Sequence, residues 1–254
     1  MFRKAILTAS ALALFSAPAL ADDLDFAGTL TGQYSHIGLD NLPDAEVWGV
    51  NGAGAVGLGD TGLNAELDAG YNHLTVAHAH ANDWNIGGSL FWKGAEGRVG
   101  VNVNYTQANA YGLTADTTNY GGFGEYYAND MFTFSAKAGG FSGDIDGAFV
   151  AGGVTGYVFP DFAASLGVSY NHIDNALNET GVSLNGEYLL SEEIPVSAFV
   201  GYTYSSLSNG GGNANTVFVG LRLYTNSTGT TLVERQRNGT TAALTAFGPL
   251  GLNF

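Results

Sequence analysis

Between Arg98 and Gln107 the chain reads RVGVNVNYTQ. Successive side chains of a strand point to opposite faces, so Val99, Val101, Val103 and Tyr105 form one apolar row. Gly100, Asn102, Asn104 and Thr106 form a polar row on the other side. The same period recurs in twelve segments, at approximately 24–35, 46–59, 62–76, 83–94, 97–108, 118–128, 131–141, 147–159, 162–173, 180–190, 195–206 and 214–224. Nearly all exceed the roughly 5–6 residues usual in globular strands. They match the roughly 9–11 residues that cross a bilayer at a tilt. The pattern predicts an all-β chain folded as a closed antiparallel up-and-down transmembrane β-barrel of 12 strands.

With the amino terminus on the inner side, the inner turns fall at Gly59–Gly62, Lys93–Arg98, Tyr127–Met131, Phe159–Phe162 and Leu190–Pro195. The outer connectors read as longer, among them Ile37–Ala45, Ala77–Asp83 and Ala108–Thr117. Short inner turns with longer outer loops are the rule for such barrels. After Tyr224 the alternation stops. Residues 225–254 carry Arg235, Arg237 and Pro249 and read as a periplasmic tail. The closing Leu250, Leu252 and Phe254 keep a 14-strand alternative open, in which the end supplies a terminal strand pair.

Aromatic residues collect near strand ends. Trp84 and Trp92 share one apolar face with Ile86 and Leu90 between them. At about 3.4 Å per residue and a tilt of about 40° they stand roughly 20 Å apart along the membrane normal. That spans most of an outward apolar band of about 25 Å with an aromatic girdle at each edge. Tyr105 and Tyr170 fall at outer ends and Tyr188 at an inner end of the same girdles.

The first residues, Met1-Phe-Arg-Lys, precede an apolar run from Ala5 to Leu14 and an Ala19-Leu20-Ala21 exit. This is the pattern of a secretory signal peptide over 1–21, cut after Ala21. The run is too short to span a bilayer comfortably. The barrel then occupies 22–224. Without Arg3 and Lys4, six of the eight basic residues face 23 acidic ones, which disfavours nucleic acid as a partner. Cysteine is absent, so no disulfide framework or thiol site is available. The 38 glycines are about twice the average share and suit a curved wall crowded on its inner face.

Leader, alternating strands, aromatic rims and the terminal Phe254 together resemble Gram-negative outer-membrane β-barrels of the porin type. The resemblance covers Asp22–Tyr224 at the level of architecture and includes no porin-specific motif. It implies export to the outer membrane of a Gram-negative bacterium, with membrane lipid as a partner. That family usually ends its last strand, and its chain, on an aromatic residue. Here the best such strand, Val217–Tyr224, precedes the end by some thirty residues, so either the insertion signal is internal or Leu250–Phe254 serves instead.

If the apolar rows face lipid, the other parity lines a lumen. Glu66, Asp68, Glu125, Lys137, Glu187 and Arg222 then point inward, and no clear mid-strand charge shares the apolar row. Four carboxylates and two cations, below an outer rim of Asp40, Asp44, Glu46, Asp83, Asp116, Asp144, Asp146 and Asp174, suggest a mild preference for cations. The expected function is a porin-like channel for passive diffusion of small hydrophilic solutes or ions. Two other arrangements fit the same residues. Lys137 and Arg222 can pair with Glu125 and Glu187 across a narrow, filled barrel, or Arg235 and Arg237 can bring the tail into an acidic lumen as a plug. A non-conducting structural barrel whose outer loops bind a partner is the alternative function.

The five histidines, His36, His73, His78, His80 and His172, fall near outer ends. His78 and His80 would share one face of a strand, a spacing compatible with a metal such as zinc, but no cysteine or carboxylate cluster completes a site. A Gly-x-Ser-x-Gly motif is absent, and the glycine-rich stretches at 52–59 and 210–212 open no helix. No enzyme activity and no cofactor are expected.

Overall fold

The computed structural model describes residues 26–241 except 41, 78, 111, 175, 192–194, 210 and 226–228. The leader, His78 and the closing Leu250, Leu252 and Phe254 lie outside the described residues. All twelve segments are strands: β1 (Phe26–Leu39), β2 (Ala45–Gly57), β3 (Leu63–Val76), β4 (Ala79–Gly94), β5 (Gly97–Ala110), β6 (Leu113–Asn129), β7 (Phe132–Gly143), β8 (Gly147–Phe159), β9 (Phe162–Ile173), β10 (Asn178–Leu189), β11 (Val196–Leu207) and β12 (Gly212–Tyr224). Each pairs antiparallel with its neighbours in the chain. Pairing of β1 with β12, from Thr29 opposite Tyr224 to Leu39 opposite Ala214, closes a barrel of 12 strands. Closure leaves no unpaired edge, the condition a sheet must meet to stand in hydrocarbon.

The alternation orients the wall with its apolar row outward. Val99, Val101 and Val103 are 59%, 61% and 53% exposed, and Leu67 reaches 71%. In a sandwich these would be the best-buried side chains; here they are among the most exposed. Valines, leucines and aromatic residues of all twelve strands continue this surface into a belt around the wall. A belt of that extent is far beyond the few hundred Å² of contiguous apolar surface that soluble monomers tolerate.

Strand ends depart from the sequence reading. Ala77–Asp83 and Ala108–Thr117, expected as outer connectors, are mostly strand, and the breaks shrink to residues 77–78 and 111–112. Connectors are short at both ends of the barrel. The longest are residues 58–62 and 190–195 at the proximal end, where β1 starts and β12 finishes, and 40–44 at the distal end. The expected asymmetry of loop length is therefore not found. Asn109, Thr114 and Asp116 have no apolar row because they stand beyond the belt, yet ladder pairing with the neighbouring strand keeps them extended. Cross-strand bonds reinforce it, with the Thr114 hydroxyl donating to Asn109 (3.0 Å) and the Gln107 amide donating to Asp116 (2.9 Å).

The segment after Tyr224, read as a periplasmic tail or a strand pair, with entry into the lumen as another arrangement, contains a helix, α1 (Leu232–Asn238). Thr231 caps it: the Glu234 N–H donates to the Thr231 hydroxyl at 3.3 Å, and the Glu234 carboxylate accepts from the Thr231 N–H at 3.1 Å. This reciprocal box satisfies two donors that a helix start leaves open. It also holds the Glu234 carboxyl below the usual glutamate range, because backbone N–H groups of Thr231 and Thr230 bind its charged form. Leu232, Arg235 and Gln236, at helical spacing, are the buried face. Leu232 packs at 0% exposure with Tyr157, Ala163, Leu189 and Tyr224, which places the helix inside the proximal mouth.

Candidate functional site

The inner row of the wall encloses a cavity of about 310 Å³, lined mainly by asparagine, serine, threonine and glycine. Glu66, Asp68, Glu125, Lys137, Glu187 and Arg222 all border it. Glu125 is paired with Arg98, Nη2 to Oε1 at 2.7 Å, and not with Lys137. Arg98 shares the inward parity of Gly100, Asn102 and Asn104, a signal present in the sequence, although the residue first reads as part of a turn. Arg222 pairs with Glu187 at 2.7 Å. Asp68 accepts from the Asn104 amide at 3.1 Å.

Glu187 is the most heavily bonded of these groups. Besides Arg222 it accepts from the hydroxyls of Ser197 and Tyr224 (2.7 Å) and from the Gln236 amide of α1 (3.1 Å). The β10–β11 and β11–β12 registers put Ser197 and Arg222 within reach, while Tyr224 ends β12 just beyond. The carboxylate therefore ties three strands to the helix.

Inward phenylalanines lie along the wall rather than across the lumen, and glycines make room for them. Phe199 stands opposite Gly220 and Phe218 opposite Gly201 in the ladder between β11 and β12, their rings 6.3 Å apart. A Cβ on Gly201 would come within 2.2 Å of the Phe218 ring, and one on Gly220 within 2.4 Å of the Phe199 ring and of the Gly32 carbonyl oxygen. Phe149 covers the Gly121–Gly139 pair in the same way. The abundance of glycine thus reflects, in part, rings laid flat on the inner wall.

α1 and the three residues after it are held in the proximal mouth by a set of side-chain and backbone hydrogen bonds. Gln236 accepts from the Tyr157 hydroxyl at 2.9 Å, and the Gly239 carbonyl accepts from Arg98 at 3.0 Å. Arg237 donates to the carbonyls of Asn129 (2.6 Å) and Phe132 (3.1 Å) and to the Thr133 hydroxyl (3.1 Å). Thr240 bonds Thr29 at 2.8 Å. Thr241 presents both its N–H (2.7 Å) and its hydroxyl (2.6 Å) to Glu66. Gln236, Thr240 and Thr241 were not singled out from sequence, since nothing local says which polar side chains of a short helix will meet a wall far away in the chain.

The girdle residues stand on the outer face. Trp92 and Tyr188 are exposed at the proximal edge, and Tyr170 at the distal edge. Trp84 packs on Tyr105 with centroids 5.4 Å apart and donates to Gln107 at 3.2 Å. Such pairing satisfies the polar tip of a ring that stands half in an apolar belt. His80 stacks on His73 at 5.4 Å, and His73 lies 5.4 Å from Trp48. Among the described residues no group of three metal-ligating side chains converges.

No protein-family model and no curated protein matches the chain. Solved structures do. It is similar to the KdgM porin at a TM-score of 0.53 and 10% identity, over 76% of this chain and 98% of that one. An outer membrane channel from Pseudomonas putida F1 aligns at 0.55 and 12%, over 78% and 94% respectively. The beta domain of the Bordetella autotransporter BrkA aligns at 0.51 and 10%, over 78% and 99%. At these identities the likeness is one of fold: the chain has the closed-barrel architecture of outer-membrane porins.

Proposed function

We propose that the chain is a porin-like channel of the Gram-negative outer membrane, exported with its leader and allowing passive diffusion of small hydrophilic solutes. One observation carries the reading: an apolar belt faces outward on a closed barrel whose inner face lines a polar cavity. Membrane lipid is its surrounding partner on the same ground. The neighbouring KdgM porin has also been solved with oligogalacturonate, a polyanion. In this chain the two arginines of the wall, Arg98 and Arg222, are already paired with carboxylates, and Lys137 is the remaining basic side chain bordering the cavity among the described residues. Among the described residues, lysine and arginine occur only in the proximal half or at mid-height, and the distal mouth carries Asp40, Asp44, Asp116, Asp144, Asp146 and Asp174 without either. This axial distribution supports the reading of a mild cation preference. A non-conducting barrel that binds a partner through distal loops has little loop to use, with connectors this short.

The test is single-channel recording in planar bilayers, on the full chain and on a folded barrel ending at Tyr224. The shortened barrel should conduct steadily and prefer cations, and Glu66→Gln with Asp68→Asn should reduce that preference. Absence of conductance from the folded, shortened barrel would overturn the channel reading.

A further inference from the structure

We infer that α1 with Thr240 and Thr241 is a reversible plug, and that its seating and release switch the channel between a narrow and a wide state. This rests on the channel reading above and adds its regulation. The helix is short; one apolar anchor, Leu232 with Val233 beside it, packs on Tyr157, Ala163, Leu189 and Tyr224, and the rest of its hold on the wall is polar. Gln236 reaches Glu187 and Tyr157, Arg237 reaches three groups at the start of β7 and the end of β6, Gly239 takes a bond from Arg98, and Thr241 takes both oxygens of Glu66. Leu232 is its one fully buried apolar side chain.

Polar contacts of this kind are exchangeable. A lumen holds water, so each donor and acceptor freed by withdrawal of the helix finds a water partner, and the net loss per bond is small. A plug meant only to fill space would be expected to seat through close-packed apolar surface, whose removal exposes area to water without compensation. The wall does not depend on the helix for closure, because the β1–β12 ladder and the pairs Arg222–Glu187 and Arg98–Glu125 lie within the barrel itself. The barrel is thus complete with the plug out.

The chain has no cysteine, so one engineered pair gives one disulfide. The hydroxyls of Thr29 and Thr240 are 2.8 Å apart, and sulfurs in their places need close by less than about 1 Å to reach bonding distance. In Thr29→Cys/Thr240→Cys, the oxidised protein should hold a single low conductance, and reduction should restore transitions to the level of the barrel ending at Tyr224. Gln236→Ala/Thr241→Ala keeps full length and should raise the open fraction roughly tenfold or more, as expected when several modest bonds are lost. Identical traces before and after reduction, with the disulfide verified by mass, would overturn the plug as a switch and leave the channel standing. Silence of every variant, including the shortened barrel, would overturn the channel reading itself.

Discussion

Glu187→Gln should have a large consequence inside the wall, because four donors converge on this carboxylate. The glutamine keeps the shape of the side chain but replaces a carboxylate that accepts from Ser197, Arg222, Tyr224 and Gln236 with one carbonyl and one donor. The guanidinium of Arg222, only 9% exposed, then loses its counter-charge, and at least one of the four donors loses its acceptor. Removing one partner of a buried ion pair costs about 3–5 kcal/mol. Water in the adjoining cavity softens that figure, so we expect about 3 kcal/mol. Glu187→Gln combined with Arg222→Met removes both charges and should return to within about 1–2 kcal/mol of the native barrel, since a neutral pair of similar volume carries no stranded charge. Equilibrium urea unfolding in phospholipid vesicles, followed by tryptophan emission, measures both, because Trp84 and Trp92 stand on the outer wall and leave lipid when the barrel unfolds. A cost below about 1 kcal/mol for Glu187→Gln, or a double variant no more stable than the single one, would refute the reasoning that this carboxylate holds a buried charge in place.

Three further outcomes can be checked in the same system. Leu67→Arg, on the lipid-facing row at mid-height, should cost about 2–4 kcal/mol, whereas Asn102→Lys, on the cavity side, should stay within about 1 kcal/mol in unfolding titrations. Gly139→Ala places a methyl 2.1 Å from the Tyr120 carbonyl oxygen and 2.8 Å from the Phe149 ring, and Gly32→Ala meets nothing within 4 Å. The first should lose about 1–3 kcal/mol and the second almost nothing; equal effects would contradict the account of rings laid over glycines. Because the Glu234 carboxyl is held below its usual range, its cap supports the seated helix at neutral pH and loses that support as pH falls through the lowered value. The difference in open fraction between the native chain and Glu234→Gln should therefore be present at neutral pH and vanish at the acid end, and a difference that persists in acid would refute the cap's role.

The wall was legible in the sequence because period-two alternation is set by the strand itself. Val99 to Tyr105 specify a face without knowledge of what lies beside them, and the inward parity of Glu66, Asp68, Glu125, Lys137, Glu187 and Arg222 follows from the same count. Connectors were misjudged for a related reason. Beyond the belt the outward row no longer needs to be apolar, so Ala77–Asp83 and Ala108–Thr117 lose the only signal by which a strand was recognised, although their ladders continue. The pairing of charges was legible only in part: Arg222 with Glu187 was among the pairs that inward parity allows, but the partner of Glu125 depends on which strands become neighbours and at what register. Arg98 reaches Glu125 because β5 and β6 place them opposite each other, and Lys137 stands opposite Phe123 and Ala151. The helix shows the sharpest limit. Thr231 and Glu234 spell a capping box, a local cue, but only the closed wall supplies the carboxylates of Glu66 and Glu187 that Thr241 and Gln236 meet. A segment too short to be a stable helix in water becomes one where a ring of strands offers partners on several sides. Its position across the mouth is a property of the barrel as much as of residues 232–238.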